Sequence, residues 1–186
     1  MQKNMKKIIL VAIALSSLFG TCEKDPVQPS PGDYGNGPRT PVSSGMQGNW
    51  MYGNFSMTEY WSQNPADYLG NAFEIAIAFK LNANGTYEQY FTSKTVTGTL
   101  STYHQSLTKG TIEINEASKT IITHAHTAHY RQSKNGQTTE DRDLDKSEMA
   151  VNTSYTYELK TEGNGTKAIY LKINGSGNAL QFLQKL

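Results

Sequence analysis

From residue 46 onward, apolar and polar positions alternate with a period of two, and glycine or asparagine interrupts them every ten residues or so. The clearest run is 72–81. Phe73, Ile75, Ile77, Phe79 and Leu81 fall on one face, and Ala72, Glu74, Ala76, Ala78 and Lys80 on the other. Successive side chains of an extended chain point to opposite sides, so this is a strand with one buried face of large groups and a lighter, partly wet one. The same reading predicts strands at 48 to about 61, 86–93, 95–103, 111–115, 119–131, 151–160, 167–173 and 178–186. Asn84-Gly85 predicts a tight hairpin turn with positive φ angles. Residues 64–68 and 162–165 read as turns, and the charged segment 132–147 as a loop. No stretch of twelve residues carries a helical period.

Eight to ten sequential strands joined by short turns either leave two costly edges or close on themselves. Closure predicts an all-β fold, an antiparallel up-and-down β-barrel of about eight strands. At that size the interior holds side chains or one small ligand.

The N-terminus follows a different pattern. Lys3, Lys6 and Lys7 precede an apolar run from Ile8 to Phe19, and Gly20, Thr21 and Cys22 follow. A cationic start, a short apolar core and small residues before the cut make a secretory signal. The run is too short to span a bilayer, which takes about 20 apolar residues. Cys22 is the only cysteine in the chain. With it at this place, the segment resembles a bacterial lipoprotein signal, which implies cleavage before Cys22, lipidation of its sulfur and a membrane partner. Cys22-Glu23-Lys24-Asp25 is similar to the start of lipoproteins from Bacteroidetes, in which acidic residues after the cysteine favour export to the surface. The location implied is the bacterial cell envelope, as an outer-membrane lipoprotein that is periplasmic or surface-exposed.

Residues 22–45 hold five of the six prolines, with glycine and serine between them. Such a segment buries too little to offset its ordering entropy and reads as a disordered linker. The chain thus divides into a signal at 1–21, a lipidated cysteine and linker at 22–45, and a β domain at 46–186.

Gly48-Asn49-Trp50 resembles the G-x-W that opens lipocalins, whose tryptophan packs across the closed bottom of the barrel. Phe79-x-x-Asn82-x-Asn84-Gly85-Thr86-Tyr87 is similar to a hairpin of small lipocalin-like lipoproteins of Bacteroidetes, and Leu180-x-Phe182-Leu183 resembles their closing strand. The resemblance implies a lipocalin-like barrel over 46–186.

Charge narrows the function. Without Lys3, Lys6 and Lys7, 17 basic residues become 14 against 16 acidic ones, a formal charge of −2. That is no footprint for nucleic acid. An acylated Cys22 leaves no thiol for a disulfide or a thiolate metal site. His124, His126 and His129 form H-x-H-x-x-H on a predicted strand, with His104 nearby. His124 and His126 share a strand face and could chelate a metal together; His129 has the opposite parity and needs a bulge to join them. The competing reading is a polar strand face. Glu74 and the acidic run 140–145 read as solvated charges, since neither shows a catalytic partner nor calcium-loop spacing. No nucleophile elbow, zinc-protease, phosphate or dinucleotide motif is present, and no cofactor is expected. Tyr52, Tyr60, Trp61 and Tyr68 lie on or just after the first strand, where they would line a barrel mouth and take an apolar or amphipathic ligand or a sugar ring. The expectation is a membrane-tethered module holding a small hydrophobic or amphipathic ligand. The alternative is a structural or protein-interaction lipoprotein with a plugged barrel.

Overall fold

The computed structural model describes residues 31–62 and 73–185. A single turn of helix, α1 (Pro31–Tyr34), precedes nine strands: β1 (Gly48–Tyr52), β2 (Phe73–Leu81), β3 (Thr86–Thr97), β4 (Leu100–Asn115), β5 (Thr120–Lys134), β6 (Gln137–Asp143), β7 (Asn152–Thr161), β8 (Lys167–Ile173) and β9 (Leu180–Lys185). All pair antiparallel in one sheet of order β4-β3-β2-β1-β9-β8-β7-β5-β6, and β4 also pairs with β5. That extra pairing closes eight strands into a barrel-like ring, with β6 left outside it on the margin of β5. The first half of β5 pairs with β7 and the second half with β6. The long strands β3, β4 and β5 therefore run on past the point where the ring closes.

The large-residue faces of β1, β2, β8 and β9 turn inward. Trp50 lies opposite Phe79, Ile121 opposite Tyr155 and Ile169 opposite Phe182. These residues, with Leu81, Tyr87, Ile112, Tyr157 and Leu171, form the main core. Val42 and Met46 belong to the same core and are buried. The Trp50 indole N–H donates to the Met46 carbonyl at 2.8 Å, so the segment before β1 is tied across one end of the ring.

Several expectations change. The first strand ends at Tyr52, not near Trp61, because Gly53 turns the chain at φ +79° hard against Ala76. Residues 53–62 then fold back over the outside of the ring. The alanines of β2 are therefore not wet: Ala76 and Ala78 are fully buried beneath Phe55 and Tyr60, while Lys80 on the same face stays part-exposed. Small side chains leave the hollow that those rings occupy.

Segment 95–103 is not one strand: it straddles the turn at 98–99 that joins β3 to β4, and 111–115 is only the end of β4. β4 runs unbroken through 104–110, which shows no apolar alternation because this stretch is covered outside by other parts of the chain. Segment 132–147 is not a loop but chiefly β6. Asn135 and Gly136 both have positive φ (48° and 80°), the two-residue hairpin turn that reverses β5 into β6. At Asn84-Gly85 only Gly85 is left-handed, at φ +78°. There the Asn84 side chain accepts from the Thr86 N–H and hydroxyl, building a longer turn.

The linker expectation fails over residues 31–46. This stretch is a strap packed on the ring, with Tyr34 buried on β3 and Val42 entering the main core, each 3% exposed. Its Thr40 N–H donates to the Ile112 carbonyl and its Val42 N–H to the Ala83 carbonyl. Gly35 and Gly37 let it approach: a Cβ on either would lie 2.5 Å from a side-chain atom of His126 or Thr111. Composition alone suggested disorder, but burial of Tyr34 and Val42 and close backbone contact together hold the segment here. The signal segment, Cys22 and Tyr68 lie outside the described residues.

Candidate functional site

Among the described residues, the void at the centre of the ring is small. The void between Trp50, Phe79, Ile121, Tyr155, Ile169 and Phe182 measures about 20 Å³, no more than a water or so occupies. Large aromatic side chains from β1, β2, β7 and β9 meet at its centre, with Phe79 5.5 Å from Phe182 and 6.0 Å from Tyr155, centroid to centroid.

A larger space lies outside. A cleft of about 510 Å³ runs between α1, the 53–62 segment, the outer faces of β4 and β5, and the chain leaving β6. Leu107, Ala128, Leu144, Met149 and Trp61 supply its apolar surface, and Asp33, Lys109, His126, His129, Asp143, Asp145 and Lys146 its polar groups.

Strand register explains how these residues meet. Between Lys109 and Gly110 the β4–β5 register slips, so that Gly110 faces Ala125 and Lys109 faces Thr127. His126 is the extra residue of that bulge. Across it, His124 opposes Thr111 and His129 opposes Leu107. Thr111 and Leu107 share a face, so His124 and His129 do too, against the simple parity of the sequence. The expected pairing of His124 with His126 does not form. His124 is bound to Asn152 through Nδ1 and to Glu113 through Nε2, at 2.7 Å each, whereas His126 packs its ring against Gly35. Among the described residues no group of three or more His, Cys, Asp and Glu could hold a metal ion. His104 lies elsewhere, with Nδ1 2.6 Å from the Tyr130 hydroxyl.

His129 is the most strongly engaged histidine. Its Nε2 lies 2.7 Å from Asp141 and its Nδ1 2.8 Å from Asp143. A carboxylate can only accept, so both ring nitrogens carry protons and the imidazole is cationic in this arrangement. Burial works to lower its pKa, but the hydrogen bonds and charges of Asp143 and Asp141 outweigh it and hold the pKa above the ordinary histidine value. Asp141 is held down in turn, first by His129 and then by Arg131. Arg131 joins three parts: its guanidinium bonds Asp141 at 2.8 Å, donates to the Trp61 carbonyl at 2.7 Å, and sits 5.0 Å from the Trp61 ring centroid. The His129 ring meets Trp61 edge to face at 5.0 Å.

A second network lies beneath the strap. Glu88 is 7% exposed. It accepts from the Tyr34 and Tyr90 hydroxyls at 2.5 Å each and pairs with Lys80 at 3.5 Å. Burial works to raise its pKa, yet those hydrogen bonds and the charges of Lys80 and Lys109 leave it lowered. Lys109 also pairs with Asp33 at 3.3 Å and lies 5.7 Å from the Tyr34 ring centroid. This network fixes the strap, and with it one wall of the cleft.

Of the four aromatics expected to line a mouth, three are described, and Tyr60 and Trp61 stay together with ring centroids 4.8 Å apart. Tyr52 packs inward on Phe182 at 5.9 Å. Tyr60 is buried on the outer face, its hydroxyl at the carbonyls of Phe91 and Ser106, and burial raises its pKa. Only Trp61 lines the cleft. The Glu74 side chain, like Tyr68, lies outside the described positions. Sequence reasoning missed Asp33, Lys109, Asp143, Lys146 and Met149, which only the strap and the β5–β6 hairpin bring together. Asn135-Gly136 was the signal that could have found the hairpin.

No family model, curated protein or solved structure matches this chain.

Proposed function

We propose that this chain is a recognition module, tethered to the bacterial envelope through a lipid on Cys22, that uses its filled ring as scaffold and its outer cleft as binding surface. The observation that carries this reading is the contrast in space: about 20 Å³ inside the ring and about 510 Å³ outside it. Ligand pockets run from about 300 to 1,000 Å³, so the cleft has the size and the interior does not. The lipocalin-like resemblance then bears on the strand plan and on Trp50, not on an internal carrier site.

The cleft also restricts its ligand. Asp33, Asp143 and Asp145 are balanced by Lys109, Lys146 and protonated His129. A strongly anionic or cationic ligand meets no unopposed field there. Apolar floor and rim groups of both hydrogen-bonding kinds suit a neutral amphipathic molecule rich in hydroxyls, of which a short saccharide is the natural type. The strap takes up residues that composition assigned to the spacer, so a lipid on Cys22 lies closer to the ring than a full linker would place it.

Ligand-observed NMR on the full chain tests the reading, with neutral oligosaccharides and a long-chain fatty acid as probes. Saturation transfer to an oligosaccharide that is lost in Trp61→Ala supports it. Fatty-acid binding that persists in Trp61→Ala overturns it in favour of an internal carrier. Tethering is read separately, by palmitate-analogue labelling that disappears in Cys22→Ser.

A further inference from the structure

We infer that His129 is a proton-operated latch on the rim of the outer cleft, holding Asp143 in place when protonated and releasing it when neutral. The inference rests on the cleft reading for its biological use, but its geometry stands independently of any ligand.

His129 bridges two carboxylates of β6 across one ring, through Nε2 to Asp141 and Nδ1 to Asp143. The two arms are unequal. Asp141 is fixed from its other side by Arg131, which binds both its carboxylate and the Trp61 carbonyl. The Asp143 side chain is 90% exposed, and His129 is its only ion-pair partner among the described residues. Asp143 is also the last residue of β6, from which Leu144, Asp145 and Lys146 continue along the cleft.

A neutral imidazole has one N–H. When the proton leaves to solvent, His129 can donate to only one carboxylate. The arm to Asp141 remains within a network that Arg131 supports, and the solvent-exposed arm to Asp143 is the one given up. A carboxylate is then freed at the cleft rim and a positive charge disappears from its wall.

The surrounding groups favour the closed form at low pH. On its own strand His129 has Arg131 and, across the bulge, His126. From β6 it faces Asp141 and Asp143; from β4, the uncharged Leu107, with Lys109 further along the strand. From the 53–62 segment it meets Trp61, and Asp33, Asp145 and Lys146 share its cleft. The contacting groups are dominated by the two aspartates, so the pKa is raised. The sign follows: a histidine with a raised folded pKa contributes fully below its unfolded value, and the contribution is lost as pH rises through the folded pKa. The latch is closed in acid and opens as pH rises through the raised pKa of His129.

The test uses the full chain without ligand. Ring-carbon NMR follows His129 from pH 5 to 9 while tryptophan fluorescence is recorded, with Trp61→Phe identifying the part of the signal due to Trp61. The expected result is a His129 midpoint above the ordinary 6.5, with the Trp61 signal changing at the same pH. Asp143→Asn should lower that midpoint, because it removes a charge and keeps an acceptor. His129→Gln should abolish the fluorescence transition while the fold, read by circular dichroism, is retained. A His129 midpoint at or below 6.5, or a Trp61 transition that survives His129→Gln, overturns the latch. Neither outcome depends on a saccharide binding, so failure of the latch and failure of the proposed ligand class are read apart.

Discussion

Gly35 lies directly on the imidazole of His126: a Cβ added to the glycine would fall 2.5 Å from Nδ1 and 2.6 Å from Cγ. At φ +66°, Gly35 is also in a conformation that favours glycine. One residue of the strap is thus seated by the bulge residue of β5.

Gly35→Ala should therefore unseat the strap. Clash and backbone strain together predict a loss of about 1–3 kcal/mol in chemical denaturation. Adding His126→Ala should recover the steric part and leave the φ strain. If Gly35→Ala melts like the parent, the strap is not packed as described.

Glu88 ties the same strap to β3, and its pH dependence has a definite sign. Its folded pKa is lowered, so its contribution is present above the unfolded carboxylate value and lost as pH falls through the folded one. Tyr34→Phe removes one of its two hydroxyl donors. The variant should lose about 1.5–3 kcal/mol near neutrality, and its acid-unfolding limb should move to higher pH. Stability against pH by circular dichroism reads both, and an unmoved acid limb would falsify the assignment.

The filled interior makes its own prediction. Phe182 is 2% exposed and touches Tyr52 and Phe79 within the core. Phe182→Ala should cost about 3–5 kcal/mol and open a dry cavity where the parent has about 20 Å³. Benzene should then raise the melting temperature of the variant and leave the parent unchanged. A benzene shift in the parent would mean that the ring is already open.

Gly136 tests whether β6 is an appendage of the ring. Its φ is +80° and a Cβ there would meet no atom within 4 Å, so Gly136→Ala acts through backbone conformation alone. A penalty of about 1 kcal/mol is expected. Amide exchange should quicken in β6 and the facing half of β5 while β1, β2 and β7–β9 keep their protection. Uniform acceleration across all strands would show that the hairpin folds only with the ring.

Much of the strand plan was legible because a one-sided strand writes its burial into every second residue. Ile77 to Leu81 and Ile169 to Leu171 follow that rule, and inward packing of Phe79, Ile169 and Leu171 matches it, whereas Ile173, inward by pattern, is 50% exposed at the end of β8. Tyr60 and Ala76 show where it stops. Ala76 looks half-wet by pattern, yet it is buried because Tyr60 and Phe55 return over it from a segment with no periodicity. Residues 104–110 show no apolar alternation for a related reason: the strap and the 53–62 segment cover the outside of β4.

The site was less legible than the fold. Trp61 was among the aromatics singled out and touches Tyr60, but Tyr60 is buried beneath it and Tyr52 packs inward on Phe182. His124 and His126 looked like partners by parity, but His126 is itself the extra residue of a bulge and packs on Gly35, while His124 is bound to Glu113 and Asn152. Register slips carry no composition signal, because the extra residue is defined only by the strand opposite.

The sequence by itself determined the all-β class and many of the inward positions, such as Phe79, Ile169 and Leu171, since these depend on local alternation and turn chemistry. The tertiary structure decided that the ring is filled, that a proline-rich segment is a strap, and that His129 meets Asp141 and Asp143 beside Trp61. Those outcomes depend on how side-chain volumes sum inside a closed ring and on contacts between residues far apart in the chain, and neither quantity is written in any local stretch of sequence.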